Sequence, residues 1–187
     1  FDPETEGSLI TGIEGTSYEL SGLIADTSYR FYVRRDCTDS EDGKSSWAGP
    51  YLFTPGYCTA GAGGSASDER IGNVTFLGIN QSSTATTGYQ NFTAVSTDVE
   101  AGSTNPFSVT ITNAFASYQV IIWIDYNQDG VFTEDEKAFQ STPLLVGDPN
   151  VVTGDITIPI TALAGNTRMR VRMHYTASGA NYTPCGN

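Results

Sequence analysis

The chain has 187 residues and a formal net charge of −12, with 9 Lys and Arg against 21 Asp and Glu. At 39% hydrophobic and 16% charged its composition is globular, and its length suits one medium domain or two small ones. The acidity and the absence of a long basic run argue against nucleic acid and anionic membrane as partners, and no apolar run nears the roughly 18 residues of a membrane-spanning helix, so membrane insertion is not expected.

Strand signals follow one another at residues 17–20, 29–35, 51–53, 74–79, 107–112, 120–124, 154–158 and 168–175, with Gly, Pro, Ser, Thr and Asn clusters between them. No long stretch has apolar residues at helical spacing, which predicts an all-β chain of sandwich or barrel architecture. Thr54-Pro55-Gly56 punctuates the chain and residues 60–67 are nearly all Gly, Ala and Ser. Two domains are therefore expected, 1–55 and 56–187. The chain begins at Phe1 without a charged-then-apolar leader, as expected of a fragment or of a chain whose signal has been removed.

In the first segment, Tyr29 stands just after a turn at the start of an apolar run, the placement of a tyrosine corner. Further on, Ser45-Ser46-Trp47-Ala48-Gly49-Pro50 leads into Leu52-Phe53-Thr54. On these residues the stretch 8–55 resembles the C-terminal half of a fibronectin type III domain, whose opening strands and core tryptophan have no counterpart before Phe1. Half a sandwich exposes its inner face and strand edges, so the resemblance implies either a cleaved piece or strands supplied by another chain.

Three cysteines are present, Cys37, Cys58 and Cys185, with no zinc-ligand spacing. Cys58 and Cys185 stand at the two ends of the second expected domain. A disulfide between them would close a loop worth up to about 5 kcal/mol on the chain-entropy model; two separate buried thiols are the alternative. Cys37 is left over.

Residues 125–136 read Asp-Tyr-Asn-Gln-Asp-Gly-Val-Phe-Thr-Glu-Asp-Glu and satisfy the calcium-loop pattern D-x-[DN]-x-[DN]-G-x5-E at every specified position. Calcium takes hard oxygen ligands, which such a loop supplies from alternate positions. Asp125, Asn127 and Asp129 offer side-chain oxygens, Gly130 allows the sharp turn, Val131 offers its carbonyl and Glu136 closes the shell with both oxygens. Thr133 stands where such loops often bind through water, and Glu134 and Asp135 add negative charge. Magnesium, which demands tighter octahedral geometry, fits less well. The competing reading is an Asn/Asp/Gly turn with no ion. Calcium is favoured because five carboxylates within these residues repel one another without a cation. A β-branched run, residues 119–124, leads into the loop where a calcium sensor would have a helix, so the expected role is a structural clamp rather than a switch.

From 168 to 175 the side chains alternate, with Arg168, Arg170, Arg172 and His174 on one face and Met169, Val171, Met173 and Tyr175 on the other. Together with Tyr57-Cys58, residues 70–76, Gly88-Tyr89, residues 123–130, residues 167–173 and Pro184-Cys185-Gly186, this stretch gives residues 57–187 a resemblance to the GEVED domain of secreted multidomain bacterial proteins. The resemblance implies a jelly-roll-like β-sandwich without known catalysis, located outside the cell, with the Asp125 loop as its cation site. The Gly-Glu-Val-Glu-Asp-Tyr strand that names the family would follow Cys185, whereas this sequence stops at Asn187. An acidic strand beside 168–175 would set glutamates opposite Arg168, Arg170 and Arg172. A solvated outer face and capture of an anionic polysaccharide are the other readings of these arginines.

Catalytic signals are sparse. His174 is the single histidine, and no nucleophile elbow, zinc-protease motif or phosphate-binding glycine loop occurs; Gly61 to Gly64 reads as linker. A carboxylate pair for glycoside hydrolysis is chemically open, but the dense carboxylate cluster is already assigned to calcium. Trp47 and Trp123 read as framework and core. The sequons at Asn73, Asn80, Asn91 and Asn181 are not expected to carry glycans in a bacterial family. The expectation is a non-catalytic, calcium-binding structural or adhesive module of a larger secreted or surface protein, contacting neighbouring domains or further copies of itself. The alternatives are a filament subunit assembling by strand donation and a carbohydrate-binding accessory module of a secreted hydrolase.

Overall fold

A computed structural model describes residues 3, 5–20, 22–23, 27–37, 43–53, 55–61, 69–83, 88–113, 117–144, 150–175 and 183–186, and the chain divides into two units, Phe1–Gly56 and Tyr57–Asn187. Residues 24–26 before the expected tyrosine corner, Thr54, most of the Gly/Ala/Ser run at 62–67, and Asn181 lie outside the described residues.

In the first unit, aromatic and β-branched residues build an antiparallel ribbon from β1 (Tyr29–Val33) and β4 (Ala48–Phe53), while β2 (Asp36–Cys37) and β3 (Gly43–Lys44) form a second, shorter one. Directly opposed residues carry rings that stack across the ribbon, Tyr29 on Phe53 with centroids 5.8 Å apart and Phe31 on Tyr51 at 5.2 Å. The Arg34 guanidinium lies 4.3 Å from the centre of the Trp47 ring. Phe31, Val33, Tyr51 and Leu52 are exposed. Residues 17–20, expected to form a strand, are irregular, because strand propensity is realised only where a neighbouring strand completes the ladder and no described strand pairs with them.

The second unit is a sandwich of two antiparallel sheets. One has the order β10 (Val151–Thr157), β7 (Thr104–Thr112), β5 (Arg70–Phe76), β6 (Ile79–Ser82); the other runs β11 (Met169–Tyr175), β8 (Tyr118–Ile124), β9 (Lys137–Gln140). Phe76, Phe107, Val109, Ile111, Val152 and Ile156 of the first sheet meet Val120, Ile122 and Ile124 of the second in one buried core. Phe107 and Phe139 cross edge to face at 4.6 Å between the sheets. Gly154 admits this contact, since a Cβ there would lie 2.9 Å from Phe139 Cε2 and 3.0 Å from Phe107 Cε1. The all-β expectation holds, and the described residues contain no α-helix.

One strand boundary differs instructively from the sequence expectation. Residues 74–79 are not one strand: Leu77, with φ 49°, and Gly78 make a two-residue turn that pairs Phe76 with Ile79 in a β5–β6 hairpin. Hydrophobic periodicity hides such a turn because Leu77 is itself apolar. The unbroken apolar run of β8 arises because that strand is covered on both faces. Val120, Ile122 and Ile124 enter the inter-sheet core, whereas Ile121 and Trp123 pack with Phe132 and Tyr57 on the opposite face. That second, smaller cluster positions the candidate site.

Candidate metal centre

The Asp125–Glu136 segment is the connection between β8 and its antiparallel neighbour β9, whose register pairs Ile122 with Phe139 and Trp123 with Lys137. Its exit is a single 3-10 turn, Glu134–Glu136, running directly into β9. The connection therefore has strand on both sides and no flanking helix pair.

Asp125 directly follows the last residue of β8 and is completely buried, 0% exposed. Its backbone N–H donates to Arg168 O at 3.1 Å, and its carbonyl accepts from Thr167 Oγ1. Oδ2 of its carboxylate accepts from the Tyr57 hydroxyl at 2.6 Å and from Gly130 N–H at 3.0 Å. Oδ1 is buried and has no hydrogen-bond partner. An unmatched carboxylate oxygen in such a place costs several kcal/mol by order of magnitude unless a cation or donor meets it.

The remaining loop residues fold the segment around Asp125. Gln128 (φ 59°) and Gly130 (φ 81°) take left-handed backbone, and Asn127 Oδ1 accepts from Asp129 N–H at 3.0 Å while Asp129 Oδ1 accepts from Val131 N–H at 2.8 Å. Asn127 Nδ2 donates to Asp129 Oδ2 at 2.9 Å. Gln128 Nε2 reaches Leu163 O at 2.9 Å, and Leu163 N–H reaches Tyr126 O at the same distance, tying the loop to the segment before β11.

Glu136 is also buried, but its carboxylate is occupied. Oε1 accepts from Tyr126 N–H at 3.1 Å, and Oε2 from the Thr133 N–H at 2.9 Å and the Thr133 hydroxyl at 3.1 Å, forming the capping box of the 3-10 turn. Burial, followed by the charge of Glu136, pushes the Tyr126 phenol up to about 12. Burial, followed by the hydrogen bond to Asp125, raises the Tyr57 phenol. Glu134 pairs with Lys137, the first residue of β9. Among the described residues no three His, Cys, Asp or Glu side chains converge as a ready metal group. The loop therefore brings its backbone and Asp125 into place, whereas Glu136 is turned to the backbone.

Two of the three arginines at 168–172, Arg168 and Arg170, face the same outer cluster. Arg168 lies over the Tyr57 ring at 4.3 Å and Arg170 over the Phe132 ring at 4.8 Å. Arg170 is buried, donating from Nη2 to Cys58 O at 2.8 Å and from Nη1 to Pro184 O at 2.8 Å and Cys58 Sγ at 3.2 Å. Arg172 reaches Thr183 O at 2.6 Å, Gly186 O at 3.0 Å, Cys185 O at 3.1 Å and Gly61 O at 3.2 Å. Burial lowers both guanidinium pKa values. Cys58 and Cys185 are joined in the expected disulfide, with Cα atoms 5.6 Å apart, and Ala60 bridges Gly186 in parallel beside it. The described forks of Arg170 and Arg172 thus meet backbone carbonyls at the two ends of the unit, in place of a fully solvated outer face.

Sequence reasoning did not anticipate Tyr57 as a partner of Asp125. The signal available was an aromatic residue beside a cysteine, which carries no information about a carboxylate 68 residues away.

Together these features define a disulfide-tied, antiparallel β-sandwich module, and disulfides of this kind persist in oxidising compartments. Residues 119–187 match the family model of the GEVED domain, a typically non-catalytic module of larger secreted bacterial proteins. The match covers β8, the loop, β9, β10 and β11. It does not extend to residues 1–118, and no comparison supports the fibronectin type III resemblance of the first segment. No protein with a curated description and no solved structure matches the chain.

Proposed function

We propose that the second unit is a calcium-stabilised, non-catalytic structural module of a secreted multidomain protein. Asp125, Asn127, Asp129 and the Val131 carbonyl would hold the ion, joined by Glu136 once it gives up part of its capping set. The observation that supports this reading is Asp125 Oδ1, a wholly buried carboxylate oxygen at the first position of a complete calcium-loop pattern and without a donor. Oxygen-only donors favour calcium over transition metals. The ion would neutralise the Asp and Glu charge at the β8–β9 connection and tie it to the sheet. His174 lies on β11 opposite Gln119 and supports no hydrolytic arrangement in this reading.

With a dissociation constant of about 0.1 mM, within the span open to extracellular modules, millimolar calcium adds about 1.4 kcal/mol by mass action. Thermal melting in calcium and in chelator tests this. A higher melting temperature in calcium that disappears in Asp125→Ala is expected; identical melting of the parent protein in both buffers overturns the assignment.

A further inference from the structure

The Tyr57 hydroxyl is placed with unusual firmness for a residue at the start of a unit. Its ring packs on Phe132 with centroids 5.0 Å apart, the Arg168 guanidinium lies 4.3 Å over it, and its neighbour Cys58 is fixed both by the disulfide to Cys185 and by Arg170. Held this way, the hydroxyl donates to Asp125 Oδ2 alongside Gly130 N–H, so the carboxylate is gripped at one oxygen by two donors from different parts of the chain. The other oxygen, Oδ1, is the buried one without a partner.

We propose that Tyr57 is the positioning residue of the cation site: its hydroxyl fixes the rotation of the Asp125 carboxylate and reserves Oδ1 for the ion. This rests on the calcium reading above. Carboxylates that bind metals are themselves hydrogen-bonded, and loss of such a partner typically costs about 10–100-fold in affinity. The consequence runs both ways, since a residue that strengthens ion binding is in turn held more tightly when the ion is bound. Calcium at Asp125 would then secure the point where the chain enters the second unit, coupling ion occupancy to the order of residues 57–58.

Isothermal titration of the full chain with calcium chloride, in parent and Tyr57→Phe forms, tests the assignment. The substitution keeps the ring and removes the hydroxyl. The expected result is a saturable calcium isotherm for the parent and an affinity lower by about 10–100-fold for the variant. Equal affinity overturns the role of Tyr57 while leaving the calcium site standing, whereas no binding by the parent overturns both. Should the variant not fold, hydrogen exchange in the parent decides: calcium should slow exchange in the segment holding residues 57–58, and unchanged exchange in a protein that binds calcium sinks the proposal.

Discussion

Tyr57 and Asp125 are joined by a 2.6 Å hydrogen bond between the first residue of the second unit and the first residue of the β8–β9 connection. Around this bond the outer face of β8 is closed by Phe132 and Tyr57, with the Arg170 and Arg168 guanidinium groups over their rings. The energetics of that face can be tested one side chain at a time.

Glu136 caps the 3-10 turn and, in the proposed calcium site, would also close the shell of the ion. Glu136→Gln keeps one carbonyl oxygen as acceptor but replaces the other with a donor, so an N–H of Thr133 or Tyr126 loses its partner. In chelator the variant should be less stable by about 1–3 kcal/mol, and added calcium should no longer raise its melting temperature. Urea denaturation in chelator reads the first effect and thermal melting with and without calcium the second.

Arg170 is expected to act as a structural tie. Arg170→Ala removes the fork that meets Cys58 O and Pro184 O and uncovers the Phe132 ring, at an expected cost of about 2–4 kcal/mol. Arg170→Lys should recover only part of this, because an ammonium cannot reproduce the planar two-armed contact. Denaturant midpoints of the two variants provide the comparison.

Cys58 and Cys185 are 127 positions apart, and closing a loop of that size constrains the unfolded chain by about 5 kcal/mol on the chain-entropy model. Reduction, or the double change to Ser, should lower stability by about 2–5 kcal/mol and increase the denaturant m-value as the unfolded chain expands. The Arg172 contacts to Gly61 and Gly186 hold the same two segments. Arg172→Ala should therefore cost more in the reduced protein than in the oxidised one, a coupling that a double-variant cycle measures.

His174 has its pKa lowered below the usual 6.5 by burial first and then by the charge of Arg172. As pH falls through 6.5 the unfolded chain takes up a proton that the folded chain resists. Stability from this residue is therefore whole above that pH and is lost as pH drops toward the folded value. Denaturation midpoints between pH 7.5 and 5 should fall in the parent and flatten in His174→Gln, with pH 7.5 values closely similar.

Several features were legible in the chain itself. The alternation of 168–175 places Met169, Val171 and Met173 against the core and the arginines on the other face, because a strand's period is a local property. The apolar run of β8 and the turn chemistry of 125–130 are local in the same sense; the all-β class followed from pattern, and position offered the Cys58–Cys185 pairing beside two separate thiols, between which the structure decides for the disulfide. Tertiary structure alone decided that residues 17–20 pair with no described strand, that Leu77 turns the chain, and that the Arg170 fork holds carbonyls. It also decided that Tyr57 grips one oxygen of Asp125 while the other stays buried without a donor. Periodicity and turn propensity are written over a few neighbouring residues, whereas the partner of a buried polar atom depends on which distant segments the packed core brings alongside it.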